Sequence, residues 1–386
     1  MAKARFPAQP DLFAEAAVPP RARGRLYSIP PHRPFLPTLA DRILDGTLLG
    51  GWPREGPFWL PDVTIILPTR RARLALAQVF LDRGQLLLPD IRSLAGEQED
   101  EEPFLPPYEL PPVPPTASAM ARRLTLSRLV RQFAISAAGL ATPPNAAEIL
   151  WLADQLGQLI DDLTIEDVPV GTLDALVPEE LAGNWQDVLR FLEPALKAWP
   201  AILAERGQLD AAAARNLRLR RQAEAAPAIW GDRPVIAAGS TGSIPATAAL
   251  LKAIAALPRG AVVLPGLDTS LTPEQHKLLV EGADTHSHPQ YGLGKLLRAL
   301  NAGPGEVEEL GEDAPRTRLV RAALSLADDT TQWTVRRAAM ADELEAALAG
   351  LSIIAAPNAD IEARAVALAA RQALAERRDF PGPGRE

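Results

Sequence analysis

Apolar and polar positions alternate between two patterns in the first quarter of the chain. Short apolar runs of β-forming residues occur at 26–29, 63–67 and 86–91. Between them, residues 35–49 and 71–81 carry apolar positions three or four apart, which is the spacing of an amphipathic helix. Strands that are apolar along their whole length, separated by helices, are typical of a buried parallel sheet.

From about residue 117 the pattern is helical only. Four segments have helical spacing and are separated by Pro and Gly, at 120–138, 146–163, 185–205 and 211–225. Strand-like runs then return at 235–239 and 261–265, on either side of a helical stretch at 246–256. The pattern predicts an α/β parallel-sheet domain that is interrupted by an inserted all-helical domain.

These changes of pattern predict six segments along the chain. They are a disordered leader (1–24), the first part of the sheet domain (25–96), a Pro-rich and acidic linker (97–116), the helical insertion (117–228), the second part of the sheet domain (229–345) and the start of another α/β unit (346–386). The last segment offers one strand at 351–356 and one helix at 361–375, so we expect a second domain that is truncated.

Composition narrows the possible functions. The 40 Lys and Arg residues are outnumbered by 48 Asp and Glu residues, so any DNA contact must come from local basic patches. The chain has no Cys, which excludes disulfides, thiol nucleophiles and iron–sulfur ligation within it. Because the sequence has neither the apolar core of a signal peptide nor an apolar run of membrane-spanning length, we expect a cytoplasmic protein without membrane contact.

The segment after the first strand is where a phosphate-binding loop would lie in an α/β protein. Here it reads Pro30, Pro31, His32 and Arg33, followed by Pro34. Proline has no amide hydrogen to donate, no Gly allows close approach, and no Lys followed by Ser or Thr is present. The sequence therefore predicts a degenerate nucleotide loop that does not hydrolyse ATP, and leaves open whether the chain has any enzymatic activity.

Polar side chains follow two other predicted strands. Ser240, Thr241 and Ser243 come directly after the strand at 235–239. Thr69, Arg70, Arg71 and Arg73 come after the strand at 63–67. The carboxyl ends of parallel strands form the usual functional edge of such sheets, and hydroxyl and guanidinium groups suit a phosphate backbone. A tight turn with a helix N-cap explains the first group equally well, and a solvated helix face explains the second.

Several other groups are weaker candidates. We expect Gly292-Leu293-Gly294-Lys295 to be a turn before a helix at 295–300, because the residues that a phosphate loop needs are missing. The histidines form a poor metal site, and the acidic cluster at a helix end is interpreted as surface. Basic residues of the helical insertion share helix faces, but neighbouring carboxylates and solubility explain most of them. These residues are His276, His286 and His288; Asp161, Asp162, Glu166 and Asp167; and Arg122, Arg123, Arg128, Arg131, Arg215, Arg218, Arg220 and Arg221.

Several stretches of the sequence are informative when they are taken together. They are Tyr27-Ser28-Ile29-Pro30-Pro31, Ile66-Leu67-Pro68-Thr69-Arg70-Arg71-Ala72, Leu86-Leu87-Leu88-Pro89-Asp90-Ile91, Gly239-Ser240-Thr241-Gly242-Ser243-Ile244-Pro245, Pro265-Gly266-Leu267-Asp268 and His288-Pro289-Gln290-Tyr291-Gly292-Leu293. In this order they resemble the N-terminal portion of the alphaproteobacterial type of the AddB family. The resemblance covers about residues 25–375, and the stretch from Gly239 to Pro245 is its most specific part.

The resemblance implies a RecA-like fold of the P-loop NTPase type, similar to superfamily 1 helicases and to RecC. It implies a subunit that pairs with the ATP-driven motor AddA, binds DNA ends and single-stranded DNA, and takes part in double-strand break repair. Thr69, Arg70 and the loop from Ser240 to Ser243 match helicase-type motif positions, where DNA contact is the implied role. The family's C-terminal nuclease and its iron–sulfur cluster have no counterpart in this sequence, so no cofactor is expected in it.

Three alternatives remain open at the level of the sequence. The chain could be a scaffold that binds AddA, or a non-functional truncated product, with no DNA binding of its own. It could also be an independent nucleotide-dependent enzyme, although the proline-filled loop speaks against that.

Overall fold

The computed structural model describes residues 25–94, 112–136, 145–169, 171–172 and 182–378. The predicted leader and most of the predicted linker lie outside the described residues. The chain divides into two units, Met1–Asp313 and Ala314–Glu386. The first unit thus ends before residue 345, where the sequence pattern placed the end of the sheet domain.

Within the described part of the chain, one six-stranded sheet forms, and every pairing in it is parallel. Its order is β3-β2-β4-β5-β1-β6. The strands are β1 (Arg25–Ile29), β2 (Thr64–Leu67), β3 (Asp90–Ser93), β4 (Val235–Ala238), β5 (Gly260–Pro265) and β6 (Glu308–Glu309). The predicted α/β class with a parallel sheet is confirmed.

Helices cover both faces of this sheet, and four helices lie between β3 and β4 in sequence. The helices of the first unit are α1 (Phe35–Leu44), α2 (Arg70–Asp82), α3 (Ala119–Ser136), α4 (Ala146–Ile165), α5 (Ala182–Glu205), α6 (Ala211–Trp230), α7 (Pro245–Ala255), α8 (Pro273–Glu281) and α9 (Tyr291–Ala299). The helical interruption of the α/β pattern is therefore present.

Successive residues of each strand face opposite sides of the sheet, and both sides are apolar. On one side, α1 and α2 pack against residues such as Ile65, Ile236 and Val263. On the other side, α6, α7 and α9 pack against residues such as Ile66 and Val262. Because both faces are buried, the inner strands β2, β4 and β5 are mostly apolar along their length, and this explains why they were readable in the sequence.

Some boundaries differ from the sequence pattern. β3 begins at Asp90, after the leucine run at 86–88, and Leu86 is 90% exposed. The run was wrongly placed in the strand because a short apolar segment has no period of its own. Helix α1 ends at Leu44 rather than at residue 49, just before Gly46 with a φ of 90°. β6 was not predicted, because its two residues are glutamates.

The two ends of the segment that contains α3, α4 and α5 lie next to each other. Thr116 and Leu209 form an isolated parallel bridge, and the amide of Ala117 donates to the carbonyl of Leu209 at 3.0 Å. Between these points, α3, α4 and α5 share an apolar core that includes the fully buried Trp199. Helix α6 follows and carries Ala226 and other apolar residues into the sheet core, so residue 228, the predicted end of the insertion, falls inside this helix.

The second unit contains helices α10 (Pro315–Ala323), α11 (Trp333–Ala339), α12 (Leu344–Leu348) and α13 (Ala359–Arg378). The predicted strand at 351–356 is wrong: in the described residues this stretch pairs with no strand, and Ile353 is 89% exposed. A lone apolar run lacks the neighbour whose backbone would complete its hydrogen bonds. In the described part of both units, no helix is long and apolar enough to cross a membrane.

Candidate functional site

The carboxyl edge of the sheet gathers the loops that the sequence singled out. These loops follow β1, β2, β4 and β5, and parallel strands bring their carboxyl ends to one side. Strand β1 lies between β5 and β6. From β1 the chain runs toward β2 on one side of the sheet, and from the neighbouring β5 it runs to β6 on the other side. Ligands commonly bind α/β proteins where the connections from two adjacent strands diverge in this way.

The loop after β1 has few amide donors. Among its residues, Arg33 donates its amide to the carbonyl of Pro30 at 3.0 Å. Pro34 caps α1 without a side-chain hydrogen bond, and Pro37 removes another amide from the first turn. Side chains of His32 and Arg33 are exposed, as is Pro31. The amides that would hold a nucleotide phosphate are therefore largely absent or already used.

An aromatic ring also fills space at this edge. Gly239 has a φ of 75°, and a Cβ added to it would lie 3.2 Å from the ring of Phe35. Phe35 is the first residue of α1, directly after the proline loop. The ring and the backbone thus make a close apolar contact between the ends of β1 and β4.

The loop after β4 is a compact polar turn. The hydroxyl oxygen of Ser240 accepts a hydrogen bond from the amide of Gly242 at 3.2 Å. The hydroxyl of Thr241 donates to that of Ser243 at 3.5 Å. The predicted tight turn is therefore present, while the helix that follows, α7, has Ile244 as its N-cap without a side-chain hydrogen bond.

This turn is held against α9 by glycine contacts. Gly242 has a φ of 57°, and a Cβ there would come within 2.6 Å of Leu296. A Cβ on Gly292 would lie 3.7 Å from Ser243. The prediction that Gly292-Leu293-Gly294-Lys295 forms a turn is wrong, because these residues lie inside α9. Gly292 and Gly294 allow neighbouring segments to pack closely against α9, and this role could not be seen by comparing the sequence with a phosphate-binding loop.

A pocket of about 210 Å³ opens beside the turn. The turn residues Ser240, Thr241 and Ser243 line it, together with Thr247 of α7. Its remaining lining residues are Pro68, Leu94, Arg215, Gly239, Gly242 and Ile244. Four hydroxyl groups and one guanidinium group thus share this pocket, and none of its described lining residues carries a carboxylate.

Arg215 is the site residue that sequence reasoning missed. It appeared there as one of many basic residues of the helical insertion. In the structure it lies in the first half of α6, and its side chain reaches the lining of the pocket after β4. Its i, i+3 and i, i+4 neighbours gave no sign of this position, since the contact joins segments distant in sequence.

The basic residues after β2 lie beside this pocket rather than in it. Pro68 lines the pocket, and Thr69 follows as the N-cap of α2, accepting from the amide of Ala72 at 3.1 Å. Arg70 and Arg71 are exposed on the first turn, and Arg73 is half-buried. The structure therefore brings the three hydroxyl residues after β4 together, with the arginines of α2 on an adjoining surface.

The loop after β5 is fastened by a glutamine. Gln290 accepts from the amide of Asp268 at 3.0 Å and donates to the carbonyl of Gly266 at 3.0 Å. The buried hydroxyl of Ser28 accepts from the amide of Leu267 at 3.0 Å. The Gly266-Leu267-Asp268 and His288-Pro289-Gln290 stretches of the sequence thus meet, and these contacts explain them structurally.

The histidines have structural contacts. His276 Nε2 lies 3.0 Å from the carbonyl oxygen of Gly294, and His288 Nδ1 accepts from the amide of Gln290 at 3.1 Å. Within the described residues, no group of three or more His, Asp or Glu side chains is placed to hold a metal ion.

The acidic residues at the end of α4 pair with neighbouring basic or amide groups. Their contacts are Asp161 with Arg122, Asp162 with Gln158, Glu166 with Lys295 and Asp167 with Arg220. Because each has such a partner, these carboxylates are explained by local structure.

No protein-family model matches the chain, and no curated protein matches it. The helicase-like interpretation therefore rests on the residues of this chain and on the geometry of its sheet edge.

Proposed function

We propose that this chain is a DNA-binding, ATP-inert module of AddB type with a RecA-like, superfamily 1 helicase-like sheet domain. It would work beside AddA in the repair of double-strand breaks. The observation that carries the proposal is the contrast along one sheet edge. The loop after β1 has proline at Pro30, Pro31 and Pro34 and therefore few amide donors, whereas the loop after β4 places hydroxyls in a pocket with Arg215.

The strand order supports the RecA-like part of this proposal. An all-parallel sheet with β1 between β5 and β6, helices on both faces and a polar turn after β4 is compatible with that fold. In such a protein a nucleotide phosphate would lie after β1, where Pro30 and Pro31 stand. DNA contact at the neighbouring strand ends is the function that the remaining polar groups suit best.

The test is a salt titration of DNA binding by the whole chain, using a duplex with a single-stranded overhang and fluorescence anisotropy. Because phosphate contacts release counterions, affinity should fall steeply as salt increases. We expect the pair Arg70→Ala and Arg71→Ala to lose about 1 kcal/mol or more of binding free energy. Arg42→Ala, which removes a half-exposed arginine that pairs with Asp45 at the far end of α1, serves as the control.

A second candidate, a scaffold that binds AddA, is favoured by exposed apolar residues of the second unit. Ile353, Val366 and Leu368 each expose more than half of their surface. Large exposed apolar groups are typical of protein interfaces. DNA binding that requires AddA, with no effect of the two arginine substitutions, would favour this candidate over the first. Protein-dependent ATP hydrolysis without AddA would contradict both.

A further inference from the structure

We propose that Arg215, together with the hydroxyls of Ser240, Thr241 and Ser243, forms a pocket for a single phosphate group. In its DNA-binding form, the inference rests on the function proposed above. It adds Arg215, a residue of the helical insertion, to the proposed DNA-binding surface, and it assigns a phosphate group to the pocket after β4.

The first argument is the state of the Arg215 side chain. Its Nε atom is buried and has no hydrogen-bond partner in the described part of the chain. A buried donor without a partner destabilises the folded protein, and the cost is greater when the donor belongs to a charged group. Arg220, on the same helix, pairs instead with Asp167. An arginine that lines a pocket without a carboxylate is well suited to an external anion.

The second argument is the direction of the hydrogen bonds in the turn. Ser240 Oγ accepts from the amide of Gly242, so its own hydroxyl hydrogen is not used in that bond. Ser243 Oγ lies 3.5 Å from Thr241 Oγ1, a long contact, so either hydroxyl can turn its hydrogen toward a ligand. Hydroxyl and guanidinium groups can all donate, and phosphate oxygens accept.

The third argument is the chemistry and size of the pocket. The described lining residues include no carboxylate, which disfavours Ca²⁺ and Mg²⁺ because their protein sites usually contain carboxylate ligands. The volume of about 210 Å³ is several times the ~30 Å³ that one water molecule occupies in the liquid. A phosphate group with bridging water therefore fits.

The fourth argument is the position along the sheet edge. Pro68 after β2 and Leu94 after β3 line the pocket, and no residue of the proline loop after β1 does. The phosphate would thus lie on the β2 and β4 side, next to the basic first turn of α2. This position favours a backbone phosphate of single-stranded DNA, held between the sheet edge and α6, over the terminal phosphate of a nucleotide at β1.

The experiment compares Arg215→Gln with Arg218→Gln in the full chain. Arg218 is an exposed arginine one turn further along α6, so its substitution removes the same charge outside the pocket. Two probes are titrated: inorganic phosphate, followed by calorimetry, and a fluorescent oligothymidylate, followed by anisotropy at several salt concentrations. The two probes distinguish a free anion from a DNA backbone.

We expect Arg215→Gln to weaken oligothymidylate binding by roughly tenfold, in line with the loss of a charge-assisted contact. Its salt slope should fall by about 0.7, the value for one phosphate of a single strand. Arg218→Gln should change neither quantity by more than about twofold. Binding of inorganic phosphate should be measurable in the wild type and in Arg218→Gln, and lost in Arg215→Gln.

The outcomes separate this inference from the proposed function. If the wild type binds phosphate through Arg215 but binds no DNA, the pocket stands and the DNA function fails. If the wild type binds DNA and Arg215→Gln binds both probes equally well, the pocket is refuted and the function stands. Should Arg215→Gln fail to fold, Ser240→Ala with Ser243→Ala tests the same pocket, and unchanged binding of both probes by that variant overturns the inference.

Discussion

The helical segment and the carboxyl edge of the sheet each contain a partly buried arginine, and the two arginines differ in the groups that surround them. In the helical segment, Arg122 donates to both carboxylate oxygens of Asp161 at 2.9 Å and to the carbonyl of Gly157 at 2.9 Å. It also lies 3.1 Å from Asp210, which accepts from the indole nitrogen of the buried Trp199 at 2.8 Å. The Nε atoms of both arginines are buried without a partner in the described residues, but at the sheet edge the described lining around Arg215 offers hydroxyls instead of carboxylates.

This difference distinguishes an arginine whose charge stabilises the fold from one whose charge can interact with a ligand. Three of the contacts of Arg122 are to groups within the same bundle, so this guanidinium contributes to folding and has little left to offer a ligand. The polar groups around Arg215 are held in place by other means, namely the glycine contacts of the turn with α9. A site that keeps its donors available must obtain its rigidity from packing.

The largest effect is expected from breaking the paired region. Arg122→Ala would leave Asp161 and Asp210 without their cation, and Asp210 is only 6% exposed. We expect about 3 kcal/mol loss of unfolding free energy, measured by urea denaturation, because breaking a buried pair strands a charge. Arg123→Ala, which removes a half-exposed pair with Asp154, is the control and should lose less than about 1 kcal/mol. Equal losses would contradict the distinction.

An intermediate effect is expected from the packing that holds the pocket. Gly242→Ala places a Cβ 2.6 Å from Leu296 and forces alanine to a φ of 57°. We expect about 2 kcal/mol of destabilisation, together with weaker oligothymidylate binding, since overpacking and the left-handed backbone each cost about 1 kcal/mol or more.

Gly51→Ala is the matched control for that substitution. Gly51 also has a positive φ, 75°, but a Cβ there meets nothing within 4 Å. It should therefore show the backbone cost alone, about 1 kcal/mol, with DNA binding unchanged. If the two variants lose the same stability, the contact with Leu296 does not hold the turn.

The smallest effect on stability is expected at the unpaired arginine itself. Arg215→Met keeps most of the aliphatic volume and removes the buried Nε that has no partner. Unfolding free energy should therefore stay constant or rise by up to about 1 kcal/mol, as urea denaturation would show. A loss comparable to that of Arg122→Ala would mean that Arg215 is a structural residue after all.

The sequence predicted those parts of the fold that have a local pattern. Strands such as β2 and β4 are buried on both faces and were readable from their apolar composition. Helices such as α4 and α6 were readable from their spacing. The run at 351–356 has the same composition as a strand but pairs with none, which no local pattern could reveal.

The candidate site was predictable only in part. Ser240, Thr241 and Ser243 were found because they directly follow a readable strand. Arg215 was not distinguished from Arg218, because the two differ only in what α6 packs against. The glycines of α9 were compared with a phosphate loop, whereas their small size matters for contacts with the turn and with α8. Tertiary proximity, absent from a single sequence, decided each of these cases.

The isolated β-bridge between Thr116 and Leu209 also indicates which segment could be deleted from the molecule. Because Thr116 and Leu209 are adjacent, the two ends of the segment that contains α3 to α5 lie side by side, and a short peptide could replace this segment. Helix α6 is different: its Ala226 and Trp230 cover one face of the sheet. A shortened gene that joins residue 116 to residue 209 would keep that cover, whereas one that removes the chain up to residue 228 would lose Ala226 and most of the helix.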